Sequence, residues 1–456
     1  MTLRLRLLVL ALLAVLVAVG GLLLSGGLSN VVAPIATAGP GSTGSSSGAP
    51  GSPGDAEPTA QPTATPRPAA GGTELYGFLP YWQMNAGMAS YLQSTPLTTL
   101  ALFSVTARSS GALNTEATGY RRITGPIGRQ LIDEAHARGA RADLVFTSFG
   151  ADRNAVFFGR VAPAPPVTPG ASPGTLAGPL SPSPSAAISP IPTASVAPWH
   201  RTVDELVALA SDLGVDGINV DIEVMAAEDR SGYGEFLAEL RAALLAANSD
   251  AQLSVATEAG LRGTGNAAVA NAAGVDRLFL MGYDYHFSTS QPGATSPVDR
   301  NDGLYTLRWS IDRYVEAGVP RDKILLGLPL YGMKWRLASP SRTALVIGDG
   351  VTWVPGQHRE LLTNPAFHPG LDLLEISQVI WEPDGAEWLV TYYDSPATLR
   401  RKLALALDSG LAGAGFWAMG YERGLPGYLG LMNDFRAGSI GRGEAPPKPP
   451  AVAPAP

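Results

Sequence analysis

The stretch Asp216-Gly217-Ile218-Asn219-Val220-Asp221-Ile222-Glu223 places an apolar side chain at every second position and a polar one between. On a strand, alternate residues share a face. Asn219, Asp221 and Glu223 therefore point one way, and Ile218, Val220 and Ile222 the other. In a parallel strand covered by helices, the apolar set packs on the helices. The polar set then lines a barrel interior near its C-terminal mouth, where barrel active sites are built. Burying two carboxylates side by side is costly unless they share a proton or find donors. Like-charge crowding raises one pKa, so one carboxyl stays protonated as a general acid. A solvent-facing antiparallel strand is a competing reading that needs neighbouring hairpins. A divalent-cation site is another, and it needs more carboxylates nearby.

Outward from this strand the pattern repeats. Short apolar runs occur at Leu75–Pro80, Thr99–Val105, Ala142–Thr147, Gly217–Ile222, Gln252–Thr257, Arg277–Tyr283, Ile324–Leu330 and Gly413–Met419. They are rich in Val, Ile, Leu and Phe, as strands buried on both faces should be. Helical patterns lie between them. Thr202-Val203-Asp204-Glu205 reads as a capping box before Leu206, Leu209 and Leu213. Phe236, Leu237, Leu240 and Leu244 form one helical stripe, and Ser395 is placed to cap a helix through Leu399, Leu403 and Leu407. Eight strands with crossovers predict an α/β fold, a (β/α)8 TIM barrel; the runner-up is an open doubly wound sheet. The 331–412 gap exceeds what a crossover helix needs. It predicts a small α+β insert between strands 7 and 8, with Trp381, Trp388, Tyr392 and Tyr393 in strand-like context.

Composition narrows the function. The 456 residues carry a net charge of -7, an acidic balance that argues against nucleic acid as partner. Cysteine is absent, which excludes disulfides, thiolate zinc and a Cys nucleophile. The five His (136, 200, 286, 358 and 368) form no HExxH pair, so neither a metal nor a cofactor is expected. His286, beside Tyr285, is a weak site candidate. At the N-terminus, Arg4 and Arg6 precede an apolar run from Leu7 to Leu24. Residues 1–38 therefore read as a signal peptide or an N-terminal membrane anchor, with the rest of the chain outside, secreted or anchored. Residues 39–72 read as a Pro/Gly/Ser-rich linker and 438–456 as a loose Pro-rich tail. Residues 161–198 hold eleven prolines and neither a charge nor an aromatic ring, so they read as a disordered insertion inside a barrel spanning 73–437.

The carboxylate strand resembles the Asp-Gly-x-Asp-x-Asp-x-Glu signature of glycoside hydrolase family 18, the chitinase-like family. Asn219 stands where many members have the middle Asp. That acid buffers the charge of the next, and Asn cannot take a proton. Asn here is similar to the spore-cortex-lytic and spore-germination branch. Tyr76-Gly77-Phe78-Leu79-Pro80-Tyr81-Trp82 resembles the family's first strand. Met281-Gly282-Tyr283-Asp284 resembles its sixth. Gly327-Leu328-Pro329-Leu330-Tyr331-Gly332, with Trp335, resembles its seventh. Trp417 resembles the eighth-strand Trp beneath the substrate.

The resemblance implies a glycosidase acting on polysaccharides or oligosaccharides that contain N-acetylglucosamine, by substrate-assisted retaining catalysis. It implies Glu223 as acid and base, Asp221 as the group holding the acetamido N–H, and Tyr283 as donor to the acetamido oxygen. Trp417 would floor the sugar. Asn219, Asp284, Tyr331, Met281, Trp82 and Trp335 would complete the substrate site. Asp284 has the opposite parity to Tyr283 and reaches the site only if the strand ends or twists there. A monomer is expected, without a nucleic-acid partner and with membrane contact only through the N-terminus. The alternative is a non-catalytic, lectin-like member of the family. Such members usually lose the acid that this chain keeps as Glu223.

Overall fold

The computed structural model describes residues 73–161 and 197–447. The segments read as signal or anchor (1–38) and linker (39–72), nearly all of the 161–198 insertion and the end of the tail lie outside the described residues. Among the described residues, no helix is long and apolar enough to cross a membrane.

Eight parallel strands close into a barrel. They are β1 (Glu74–Pro80), β2 (Thr99–Thr106), β3 (Arg141–Phe149), β4 (Gly217–Glu223), β5 (Gln252–Glu258), β6 (Arg277–Met281), β7 (Ile324–Pro329) and β13 (Gly413–Trp417). Strand β1 pairs with both β2 and β13, which rules out the open doubly wound sheet. Outward-facing Ile218, Val220 and Ile222 pack with Phe236, Leu237, Leu240 and Leu244 of the helix Arg230–Ala247 in the main core. A second cluster fills the barrel: Tyr76, Phe78, Phe103, Val145, Phe279, Met281 and Leu325 among others. Phe279 occupies so much of this interior that a Cβ on Gly327 would lie 2.3 Å from its ring, and one on Gly415 2.6 Å. Glycine on β7 and on β13 beyond it makes room for that ring.

The expected insert is a five-stranded antiparallel sheet in the order β10-β11-β12-β8-β9. Its strands are β8 (Gly332–Leu337), β9 (Val351–Trp353), β10 (Gly370–Asp372), β11 (Ser377–Asp384) and β12 (Glu387–Tyr393). Trp381, Trp388, Tyr392 and Tyr393 lie on β11 and β12, as their context predicts.

Three local expectations are corrected. The helix expected to start at the Thr202 capping box starts at Trp199. Thr202 Oγ1 instead donates to Gly111 O at 2.6 Å, and Glu205 accepts the Leu113 N–H at 2.7 Å, so both side chains satisfy the loop after β2. Strand β6 ends at Met281, two residues early. The chain beyond Ala437 stays on the barrel: Ile440 is buried, Glu444 pairs with Arg400, and Pro446 O accepts from Arg308. A loose tail therefore begins no earlier than residue 447. The Ser395 cap forms as expected, with Thr398 reciprocating.

Candidate active site

Strand β4 is latched at its foot and crowded at its mouth. At the foot, the Asp216 carboxylate accepts the Ala142 N–H at 2.8 Å and lies 2.8 Å from His136 Nε2. At the mouth, Asn219, Asp221 and Glu223 face the barrel interior, as alternation predicts. Asn219 is fully buried and its Nδ2 donates to Ser254 Oγ at 2.9 Å. Asp221 is 5% exposed, and its Oδ1 is buried without a partner. Glu223 ends the strand and is partly open to solvent.

The electrostatics follow from this crowding. Burial, then the charge of Glu258, holds the Asp221 pKa well above the usual carboxylate range. Glu223 is raised by burial first, then by Asp221, Glu258 and Asp284. Carboxyls crowded in this way share protons as a group, and the crowding favours the protonated form of one of them.

The chain leaves β4 through a left-handed turn. Val224 has φ +56°, a strained conformation for a β-branched residue. Its N–H is held by Glu258 Oε1 at 2.9 Å. Glu258, the last residue of β5, thus both pins the turn after Glu223 and adds charge beside it.

Strand β6 contributes through its exit. Met281 is buried in the interior cluster, and Tyr283 packs against that cluster although the strand has ended. The Tyr283 hydroxyl is raised by burial and by Asp221, Glu223 and Asp284, whose charges therefore reach it. Asp284 adopts φ +59°, which turns it out of strand parity, and it accepts a hydrogen bond from the Tyr331 hydroxyl. The Tyr283 and Tyr331 rings meet edge to face at 6.2 Å. Asp284 thus reaches the mouth because the strand ends before it.

An aromatic wall closes the other side. Trp417, the last residue of β13, packs edge-on against Phe103 at 4.6 Å. Trp82 is 48% exposed, lies 6.3 Å from Trp417 and donates from Nε1 to the Tyr421 hydroxyl at 3.4 Å. Phe149, the register partner of Glu223 on β3, is exposed and stacks on Phe103. These rings offer apolar faces of the kind that sugar rings cover.

Trp335 is a correction. It is 1% exposed and packs with Met333, Leu337, Val390 and Tyr392 in the insert's own core. Strand parity explains this. Trp335 shares the buried face of β8 with Met333 and Leu337, while Lys334 and Arg336 point out to Glu382, Asp384 and Glu387. No face of the indole is left for a ligand. His286 is likewise buried away from the mouth, its Nδ1 2.6 Å from Gln291 O and its Nε2 3.6 Å from Glu375.

Sequence reading missed Glu258, Phe149 and Asp143. The alternation used on β4 finds all three when applied to its neighbours. Ser254, Ala256 and Glu258 alternate on β5, and Asp143, Val145, Thr147 and Phe149 on β3. Asp143 is buried at 1% exposure beneath the mouth, and its Oδ2 accepts from the Tyr76 hydroxyl at 2.8 Å.

The sequence model of Glycosyl hydrolases family 18 matches residues 194–422, which is 229 of the 456 residues. An endochitinase of Brugia malayi is 28% identical over 193 residues, covering 38% of this chain and 34% of that protein. The chain spans from about a third to just over half the length of the first curated relatives it matches. The spore cortex-lytic enzyme SleL of Bacillus cereus has a similar fold, with TM-score 0.57 and 18% identity over 80% of this chain and 74% of that one. A family 18 chitinase of Cycas revoluta, solved with (GlcNAc)3, gives TM-score 0.60 and 17% identity over 81% of this chain and 100% of that one. With half its length matched by the family's sequence model and the signature strand set in the mouth of a closed barrel, the chain belongs to glycosyl hydrolase family 18.

Proposed function

We propose that this chain is an exported glycoside hydrolase that cleaves β-1,4 bonds beside N-acetylglucosamine, in chitin, peptidoglycan or a related glycan. The observation that carries the reading is Glu223. It stands at the open rim with its pKa held up by burial and by three neighbouring acids, the condition of a general acid. Glu223 gives its proton to the glycosidic oxygen as the bond from that oxygen to C1 breaks. The substrate's acetamido carbonyl oxygen attacks C1 and forms a cyclic oxazolinium. Glu223, now a carboxylate, takes a proton from water as the water opens that ring at C1. Two attacks on C1 retain the β configuration. Asp221 accepts the acetamido N–H, Tyr283 donates to the acetamido oxygen, and Trp417 floors the ring.

Family membership supports a glycosidase. The endochitinase relative and the chitin-oligomer complex of the Cycas enzyme support an N-acetylglucosamine substrate. Export rests on the basic and apolar start of the chain. The test is a substrate panel with product analysis by mass and by NMR. N-acetylglucosamine oligomers or peptidoglycan should be cut, with β product appearing first. Fully deacetylated chitosan and cellulose should not be cut, since the attacking oxygen is missing. A thiazoline analogue of the cyclic intermediate should inhibit. Ready cellulose hydrolysis, or an α product early in the reaction, would overturn the mechanism. Binding without turnover of any acetylated glycan would favour the lectin-like reading.

A further inference from the structure

Beneath the catalytic mouth lies a chain of buried hydrogen bonds with a definite direction. Asn219 Nδ2 donates to Ser254 Oγ at 2.9 Å. Ser254 Oγ lies 3.3 Å from the Tyr76 hydroxyl, and that hydroxyl donates to Asp143 Oδ2 at 2.8 Å. An ionised carboxylate only accepts. Tyr76 therefore gives its one proton to Asp143, so Ser254 gives its proton to Tyr76, and Ser254 is left as acceptor for the Asn219 amide. Each bond in the series points toward Asp143. The consequence appears at the other end. With one N–H of its NH2 held by Ser254, the Asn219 amide is fixed with its carbonyl oxygen turned to the other side. That oxygen and Asp221 Oδ1, two residues on along the same face, are both buried without a partner. Each such orphan is costly. A proton on Asp221 Oδ1, shared with Asn219 Oδ1, would satisfy both and leave Asp221 Oδ2 to accept a substrate N–H.

We propose that Asp143 is a positioning residue for the reaction, acting through Tyr76, Ser254 and Asn219 to present an acceptor to Asp221 and hold that carboxyl in one orientation. The proposal rests on the hydrolase reading given above. The relay suits Asn at position 219, whose amide offers a donor and an acceptor whatever the pH.

The groups acting on Asp143 come from several elements. Tyr76 and Glu74 lie on β1, Arg141 on β3, and Asp216 just before β4. Burial raises Asp143 to about 6, against opposing pulls from Arg141 and Tyr76. Its folded pKa thus lies above its unfolded one, so its charge costs stability as pH rises through about 6. A buried charge that opposes folding but orders an active centre is the pattern of a functional residue.

The test uses Asp143→Asn and Tyr76→Phe in the full chain, on an acetylated oligomer that the wild type cuts. An Asn in place of Asp143 can offer Tyr76 an NH2 as well as a carbonyl, so the direction of the series is no longer enforced. Asp143→Asn should therefore lower kcat at pH 7.5 by about tenfold, with KM within about twofold. The acidic limb of the wild-type kcat profile near pH 6 should flatten, while the melting temperature at pH 7.5 holds or rises. Tyr76→Phe, which keeps the carboxylate but cuts the relay, should reproduce the kcat loss. Three results would overturn the proposal. One is a wild-type kcat profile in Asp143→Asn. The second is a fall in melting temperature matching the fall in kcat, the mark of a merely structural role. The third is a Tyr76→Phe enzyme with full kcat. If the wild type cuts no acetylated substrate, the hydrolase reading fails first, and the inference that rests on it fails with it.

Discussion

Glu258 Oε1 accepts the backbone N–H of Val224, the residue immediately after Glu223, at 2.9 Å. One carboxylate thereby fixes the strained turn that aims the acid and also supplies charge that raises it. Glu258→Gln keeps an acceptor for Val224 and removes the charge. The Glu223 and Asp221 pKa values should then fall, because Glu258 raises both. The acid form of Glu223 is lost at lower pH, so the alkaline limb of kcat/KM should move toward acid. A pH–rate profile checks this, and an unmoved alkaline limb would contradict it. Glu258→Ala also removes the acceptor, and should lower kcat further by loosening the turn.

Glu223→Gln preserves shape and removes the transferable proton. Turnover should fall by about 10² or more, in line with general-acid contributions. Affinity for an oligosaccharide, measured by calorimetry, should survive. Asp221→Asn should also impair turnover, since it alters the group that orients the acetamido arm. Undiminished turnover in Glu223→Gln would remove Glu223 from the mechanism.

A buried ion pair joins the end of the insert to the barrel. Lys402 Nζ lies 2.6 and 2.7 Å from the two oxygens of Asp394 and donates to Ser296 Oγ at 2.7 Å, with both charged side chains almost fully buried. Removing one partner strands the other charge. Lys402→Met should therefore cost about 3–5 kcal/mol by chemical denaturation. Adding Asp394→Asn should recover part of the loss. A double variant less stable than the single one would refute the pairing as the source of the cost.

The insertion between β3 and β4 should be dispensable for stability. Its flanks already meet: a Cβ on Gly159 would lie 3.1 Å from the Ala197 Cβ. A short Gly/Ser linker in place of 162–196 can thus close the chain without moving either end. The melting temperature should change by no more than a few degrees, as expected for surface loops. A large drop would show that the segment packs against the barrel.

Period-two alternation made most of this architecture legible in the sequence. It placed Asn219, Asp221 and Glu223 on the interior face, and the eight apolar runs located every barrel strand. Alternation says which way a side chain points, not what stands opposite. Trp335 obeyed its parity, but the buried face of β8 belongs to the insert and not to the cleft. Asp284 broke parity because β6 ends early and the backbone turns left-handed, and no local pattern announces that turn. Thr202 and Glu205 had the spacing of a cap, yet their partners, Gly111 and Leu113, lie some ninety residues away. Long-range partners of this kind are set by the closed barrel.

Only Leu330 and Tyr331 separate β7 of the barrel from β8 of the insert, and the Tyr331 hydroxyl is bonded to Asp284 at the rim. A tilt of the insert sheet about this joint must either drag Asp284 along or break that bond. The placement of a rim carboxylate is thus answerable to the footing of a sheet built outside the barrel. That footing includes Glu375, which accepts the Ala294 N–H at 2.6 Å, and Arg342, which donates to Pro292 O at 2.9 Å, both seating the insert on the loop after β6. On the proposed hydrolase reading, loosening these contacts should lower turnover from a distance.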